Sequence, residues 1–99
     1  MTSETKADLK REIAHCLMHA AEIHKVVVFG SFLASASPND MDVAVFQDSG
    51  QSYLSLALKY RRMARRVSER IALDIIPLRS GASGAFLAEI NRGEVIYER

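Results

Sequence analysis

Apolar positions recur at three- and four-residue spacing over residues 5–24, where Leu9, Ile13, Cys16, Leu17 and Ala20 form one stripe. That is the period of an amphipathic helix. Thr5 followed by Asp8 reads as a capping box at its start, with Thr5 accepting a backbone N–H and Asp8 reaching back. The pattern then changes. Val26-Val27-Val28-Phe29 is short, uninterrupted and largely β-branched, which predicts a strand buried on both faces. Gly30-Ser31 ends that strand, and the small residues up to Ser37 have room for one helical turn before Pro38-Asn39 breaks the chain. Asp40 to Phe46 reads as a second strand that begins with two acidic residues on alternate positions, and Gln47 to Ser52 as a loop. Residues 52–70 predict a second long helix with Tyr53, Leu56, Tyr60, Met63 and Val67 as its apolar stripe. Ile71 to Leu78, with Asp74 in its middle, reads as a third strand. Residues 84–92 predict a short helix, with Gly93 as its C-cap. Glu94 to Tyr97 would form a last short strand.

The order is therefore α-β-(turn)-β-α-β-α-β. Gly30 to Asp40 is shorter than a parallel crossover, which needs about a dozen residues or more. The first two strands should then be antiparallel neighbours, with the third joined by a helical crossover. These readings predict an α/β fold of the α+β kind, a small mixed sheet with helices packed on it. With 99 residues, no internal repeat and no linker, one domain over residues 1–99 is expected.

Composition narrows the function. Apolar residues make up 48% of the chain and charged residues 25%, as in ordinary globular proteins. Thirteen Lys+Arg against twelve Asp+Glu leave a net charge of +1, so no global field draws the chain to nucleic acid or membrane. Lys59, Arg61, Arg62, Arg65, Arg66 and Arg70 cluster on the second helix. No aromatic residue alternates with them on the exposed face, which favours a solvated face over a stacking platform for single strands. The lone Cys16 excludes an internal disulfide framework and a cysteine-based zinc cluster, and its plain role is that of a small buried hydrophobe. A reducing, cytoplasmic setting is expected. No apolar run is long enough for a membrane span, and the polar N-terminus does not read as a secretory signal. His15 and His19, four residues apart, lack a third ligand and read as a surface pair. Tyr53 and Tyr60 read as core or interface positions, and the apolar content of their helix leaves self-association open.

Gly30-Ser31, eight residues, then Asp40-x-Asp42 is the informative segment. Side chains alternate along a strand, so Asp40 and Asp42 share a face. Two adjacent carboxylates repel unless solvated, protonated or neutralised by a cation. Magnesium suits such a pair, because it takes one or two carboxylates together with substrate phosphates. Asp74 lies inside an apolar run, and a neighbouring strand that set it beside Asp40 and Asp42 would complete a three-carboxylate cluster. A glycine at a strand end lets the backbone approach a phosphate closely, a following helical turn offers free N–H groups, and the Ser31 hydroxyl adds a donor. Together these features suggest a nucleoside triphosphate held between backbone donors and a carboxylate-bound metal. Plainer readings also exist: Asp-x-Asp at a strand start as a solvated turn, and Asp74 as a solvent-facing residue of an edge strand.

Val28-Phe-Gly-Ser-Phe followed by Asp40-Met-Asp-Val-Ala-Val resembles the nucleotidyltransferase signature of the DNA polymerase β superfamily, in particular its minimal nucleotidyltransferase (MNT) branch. The order of elements agrees over essentially the whole chain, and Ile90-x-x-Gly93-x-x-Ile96-Tyr97 is also similar to that branch. The resemblance implies that Gly30 and Ser31 contact the triphosphate and that Asp40 and Asp42 bind metal. Asp74 would be a third metal ligand or a base. It implies transfer of a nucleoside monophosphate from an NTP, ATP foremost, to a hydroxyl with release of pyrophosphate, using two Mg2+ or Mn2+ ions. It also implies a small helical partner of the HEPN type, which some such proteins modify as antitoxins. Where the family often continues Gly-Ser-x with Ala-Arg-Gly, this chain has Leu33-Ala34-Ser35, and its gap to Asp40 is short. That departure implies weaker triphosphate binding. It also supports a second reading, a nucleotidyltransferase-fold module that neutralises a partner without turnover.

Overall fold

The computed structural model describes residues 1–99. Helix α1 (Ser3–Leu17) begins earlier and ends sooner than the periodicity implied. Its cap is Thr2, whose hydroxyl accepts the Thr5 N–H at 3.0 Å, so Thr5 lies inside the first turn. Asp8 pairs with Arg11 at 2.5 Å and does not reach back to close a capping box. Leu9, Ile13 and Leu17 carry the buried stripe. The helix stops at Leu17 because Ile23 belongs to the sheet: strand β1 (Ile23–Phe29) takes it in fully buried, opposite Gln47. His19 therefore lies beyond the helix. Its ring meets that of His15 edge-on at 5.5 Å, and both residues are exposed.

After β1 come the single turn α2 (Ser31–Ala34) and strand β2 (Asp40–Gln47). Helices α3 (Tyr53–Met63) and α4 (Arg65–Ser68) follow, then strand β3 (Ala72–Arg79), helix α5 (Ala85–Asn91) and strand β4 (Glu94–Glu98). The expected 52–70 helix is thus two helices. The break is at Ala64 (φ −100°, ψ 21°), a fully buried residue, and beyond it Val67 and Ile71 also reach the core. Leu56, Tyr60 and Val67 of the expected stripe are buried, whereas Tyr53 is 59% exposed.

The sheet order is β3-β2-β1-β4. β1 runs antiparallel to both β2 and β4. β2 and β3 are parallel, joined by the α3–α4 crossover. Strand alternation splits the core in two. Val26, Val28, Met41, Val43 and Val45 face α1, α3 and α4, where Ile13, Leu56, Tyr60 and Val67 close the larger cluster. Val27, Phe29, Ala44 and Phe46 face the other way and are covered mainly by Ile90 of α5. The central run of β1 is accordingly buried on both faces.

The cap of α5 is Arg92, not Gly93. Gly93 has no positive φ; its constraint is space, since a Cβ there would lie 2.4 Å from the Val28 carbonyl oxygen. No helix is long and apolar enough to cross a membrane. Two of the clustered arginines are tied down by α1, Arg66 and Arg70 each lying 3.9 Å from Glu12.

Candidate active site

The thinner-covered face of the sheet carries the acids. Asp40 and Asp42 open β2 on the side that further along presents Ala44 and Phe46 to α5. The parallel register sets Asp42 directly beside Asp74 of β3. Carboxylate oxygens of Asp40, Asp42 and Asp74 all lie within 4.8 Å of one another. Asp40 and Asp42 are half-buried. Asp74 is exposed and on an edge strand, so the plainer reading of its position holds, yet its carboxylate joins the cluster.

Gly30 closes β1 with φ 78°, a conformation that side chains rarely adopt. A Cβ at that position would lie 2.8 Å from Oδ2 of Asp42, so the glycine meets two demands, one of conformation and one of clearance. Ser31 starts α2 and its hydroxyl donates to Oδ1 of Asp40 at 3.3 Å. All five residues singled out in the sequence therefore come together at one end of the sheet.

The electrostatics are strained. Burial pushes the Asp42 carboxyl above the usual carboxylate range, and the charges of Asp40, Asp74 and Glu89 and a hydrogen bond with Asp74 push it the same way. None of the three carboxylates forms an ion pair with a basic side chain. Three converging carboxylates are hard oxygen donors of the kind that divalent cations take from protein.

A cleft of about 520 Å³ opens against Asp42 and Asp74, bordered also by Phe29, Arg61, Phe86 and Glu89. Phe29 and Phe86 stack edge-on at 5.8 Å. Glu89 had no signal in the sequence: it lies on a helix whose docking against the sheet only the fold reveals. A larger groove of about 660 Å³ runs between α1 and β4, lined by neither the carboxylates nor Gly30.

The model of the family described as "Polymerase beta, Nucleotidyltransferase" matches residues 11–99. No curated protein matches the chain. Among solved structures, the chain is similar to one from Shewanella oneidensis, in the complex of tri-AMPylated HEPN toxin with MNT antitoxin. There the TM-score is 0.64 at 17% identity over 95% of this chain and 73% of that chain. A toxin–antitoxin structure with AMP-PNP gives a TM-score of 0.65 at 18% identity over 91% of this chain and 73% of the other. The toxin–antitoxin MntA-HepT gives 0.59 at 12% identity, with 94% and 73% covered. At these identities the structural likeness speaks for the fold. With the family match over nearly the whole chain, a mixed four-stranded sheet of this order and an acidic cluster beside a Gly-Ser turn, the chain belongs to the polymerase β nucleotidyltransferase family.

Proposed function

We propose that residues 1–99 form a minimal nucleotidyltransferase domain that moves a nucleoside monophosphate, AMP foremost, from an NTP to a hydroxyl on a helical partner protein of the HEPN type. The observation that carries this reading is the convergence of Asp40, Asp42 and Asp74 within 4.8 Å beside a glycine whose nearest neighbour is the Asp42 carboxylate. The solved toxin–antitoxin relatives, one tri-AMPylated on its toxin and one with AMP-PNP, support AMP as the group moved and a HEPN protein as the acceptor. A reducing cytoplasmic setting fits the lone cysteine. Burial and then Glu12 hold the Cys16 thiol above its ordinary range, with Arg66 only opposing them.

Asp40 and Asp42 would hold divalent metal, with Asp74 completing the set. A metal held by these residues would supply neutralisation of phosphate charge. The chain's own groups do the rest. The Gly30 backbone and the Ser31 hydroxyl hold triphosphate oxygens at the turn after β1. The acceptor hydroxyl approaches from the opposite, β3 side, where Asp74 takes its proton. As its oxygen bonds to the α-phosphorus, the α–β phosphoanhydride bond breaks and pyrophosphate leaves.

Calorimetric titration of ATP with and without magnesium tests this reading. Magnesium-dependent binding that is lost in Asp42→Ala is the expected outcome. Equal binding by Asp42→Ala would sink the carboxylate assignment. The second reading, partner neutralisation without turnover, draws on α2, where Ala34 leaves the turn without a cation. Under it, Asp42→Ala keeps full neutralisation of the partner, and no AMP appears on that partner with the unaltered chain.

A further inference from the structure

Several basic side chains already have partners. Lys59 pairs with Glu22, Lys10 with Glu94, Arg11 with Asp8, and Arg66 and Arg70 lie against Glu12. Arg79 stands beside Gln47 at the opposite end of the β2–β3 ladder from Asp40 and borders a different hollow. Helix α2 carries no cation.

Arg61 differs from all of these. It lines the cleft of about 520 Å³ together with Asp42, Asp74 and Glu89, and it forms no ion pair with any of them. Its place on the cleft wall follows from α3, where Tyr53, Ala57 and Arg61 recur every four residues on the side turned to the cleft. Arg61 and the carboxylates of Asp42, Asp74 and Glu89 therefore border one cleft with no ion pair between them. A ligand with cations on one side and anionic oxygens on the other fits that gap. Its metal faces the carboxylates and its phosphoryl oxygens face the arginine, whose planar fork can donate two parallel hydrogen bonds.

We propose that Arg61 is the cation that contacts phosphoryl oxygens of the bound nucleotide, from the wall of the cleft opposite the carboxylates. This assignment rests on the nucleotidyl-transfer reading. Arg61 is exposed and unpaired, so its replacement leaves the core intact.

The test is calorimetric binding of magnesium with an ATP analogue whose α–β bridging oxygen is a methylene, which blocks turnover. Arg61→Ala should weaken binding by about tenfold to a hundredfold, the range for a hydrogen bond to a charged group. Arg61→Lys, a point charge without the fork, should fall between, and Arg79→Ala should bind like the unaltered chain. Unchanged binding by Arg61→Ala overturns the proposal and leaves nucleotidyl transfer standing. An equal loss in Arg79→Ala marks a general charge effect and also overturns it. Absence of magnesium-dependent binding in the unaltered chain overturns the nucleotidyl-transfer reading, and this proposal with it.

Discussion

Asp42 sits in surroundings that oppose its negative charge. Burial comes first among the causes that raise its pKa, and three neighbouring carboxylates add to it. The sign of the consequence is fixed. A carboxyl whose folded pKa lies above its unfolded value favours folding when protonated, so the metal-free protein loses stability as pH rises through that interval. Asp42→Asn removes the charge and keeps the shape. We expect it to raise the melting temperature of the metal-free protein by a few degrees, on the order of 0.5 kcal/mol, while abolishing magnesium-dependent binding. Thermal melts of both proteins with and without magnesium check this. A lower melting point for Asp42→Asn without metal would show that the carboxylate has a structural partner.

At the scale of elements, α3 is anchored to the chain before β1 through one carboxylate. Tyr60 is fully buried and its hydroxyl donates to Oε2 of Glu22 at 2.8 Å, where Nζ of Lys59 also donates at 2.8 Å. Burial alone would raise the Glu22 pKa. The hydrogen bonds from Lys59, its own backbone and Tyr60, with the Lys59 charge, outweigh it and bring the pKa below the ordinary value. Burial, the bond to Glu22 and its charge in turn hold the Tyr60 hydroxyl well above the ordinary tyrosine range. A depressed carboxyl stabilises the fold above its unfolded pKa, and that contribution fades as pH falls through the folded one. Tyr60→Phe should cost about 1–2 kcal/mol at neutral pH. The stability gap between the unaltered chain and Glu22→Gln should narrow as pH drops below the carboxylate range, in denaturant titrations at several pH values. A gap that stays constant to low pH would rule out an ionised Glu22 as the anchor. The β4–β1 pairing depends on close approach. Gly93→Ala would drive a methyl into the Val28 carbonyl, and its expected cost is about 2 kcal/mol or more. A variant within experimental error of the unaltered chain would mean that β4 can shift without loss.

At the scale of the whole molecule, the candidate site sits where β1, β2 and β3 meet, so a ligand bound there would tie three strands together. A ligand that binds only the folded chain stabilises it by mass action, about 2.7 kcal/mol at a hundredfold excess over Kd. For a chain of this size that is a rise in melting temperature of roughly 10 °C or more. Magnesium with ATP should produce it, and Asp42→Ala should not. An equal rise in both would place the nucleotide elsewhere, the α1–β4 groove being the other large hollow.

Much of this was legible along the chain. The β-branched run of residues 26–28 suits a buried strand, and the short Gly30–Asp40 segment favours antiparallel neighbours, because both follow from local sterics and chain reach. Asp40 and Asp42 sharing a face is a property of any strand. Other features depended on contacts between distant segments. The end of α1 at Leu17 came from Ile23 being drawn into the sheet, and the break at Ala64 accompanies the burial of both Ala64 and Val67. Tyr53 has helical spacing but ends at the cleft, because only packing chooses which side of a stripe faces the core. Gly93 looked like a cap by its neighbours and proved to be a spacer by its distance from Val28. The residue types and their spacing thus pointed to the fold class, to the Gly30-Ser31 turn and to Asp40 and Asp42 on one face, since these rest on local chain geometry and backbone periodicity. Only the tertiary structure brought Asp74 into register with Asp42 and set Glu89 and Arg61 around them, because the relative placement of β2, β3, α3 and α5 is decided by packing between segments far apart in the chain.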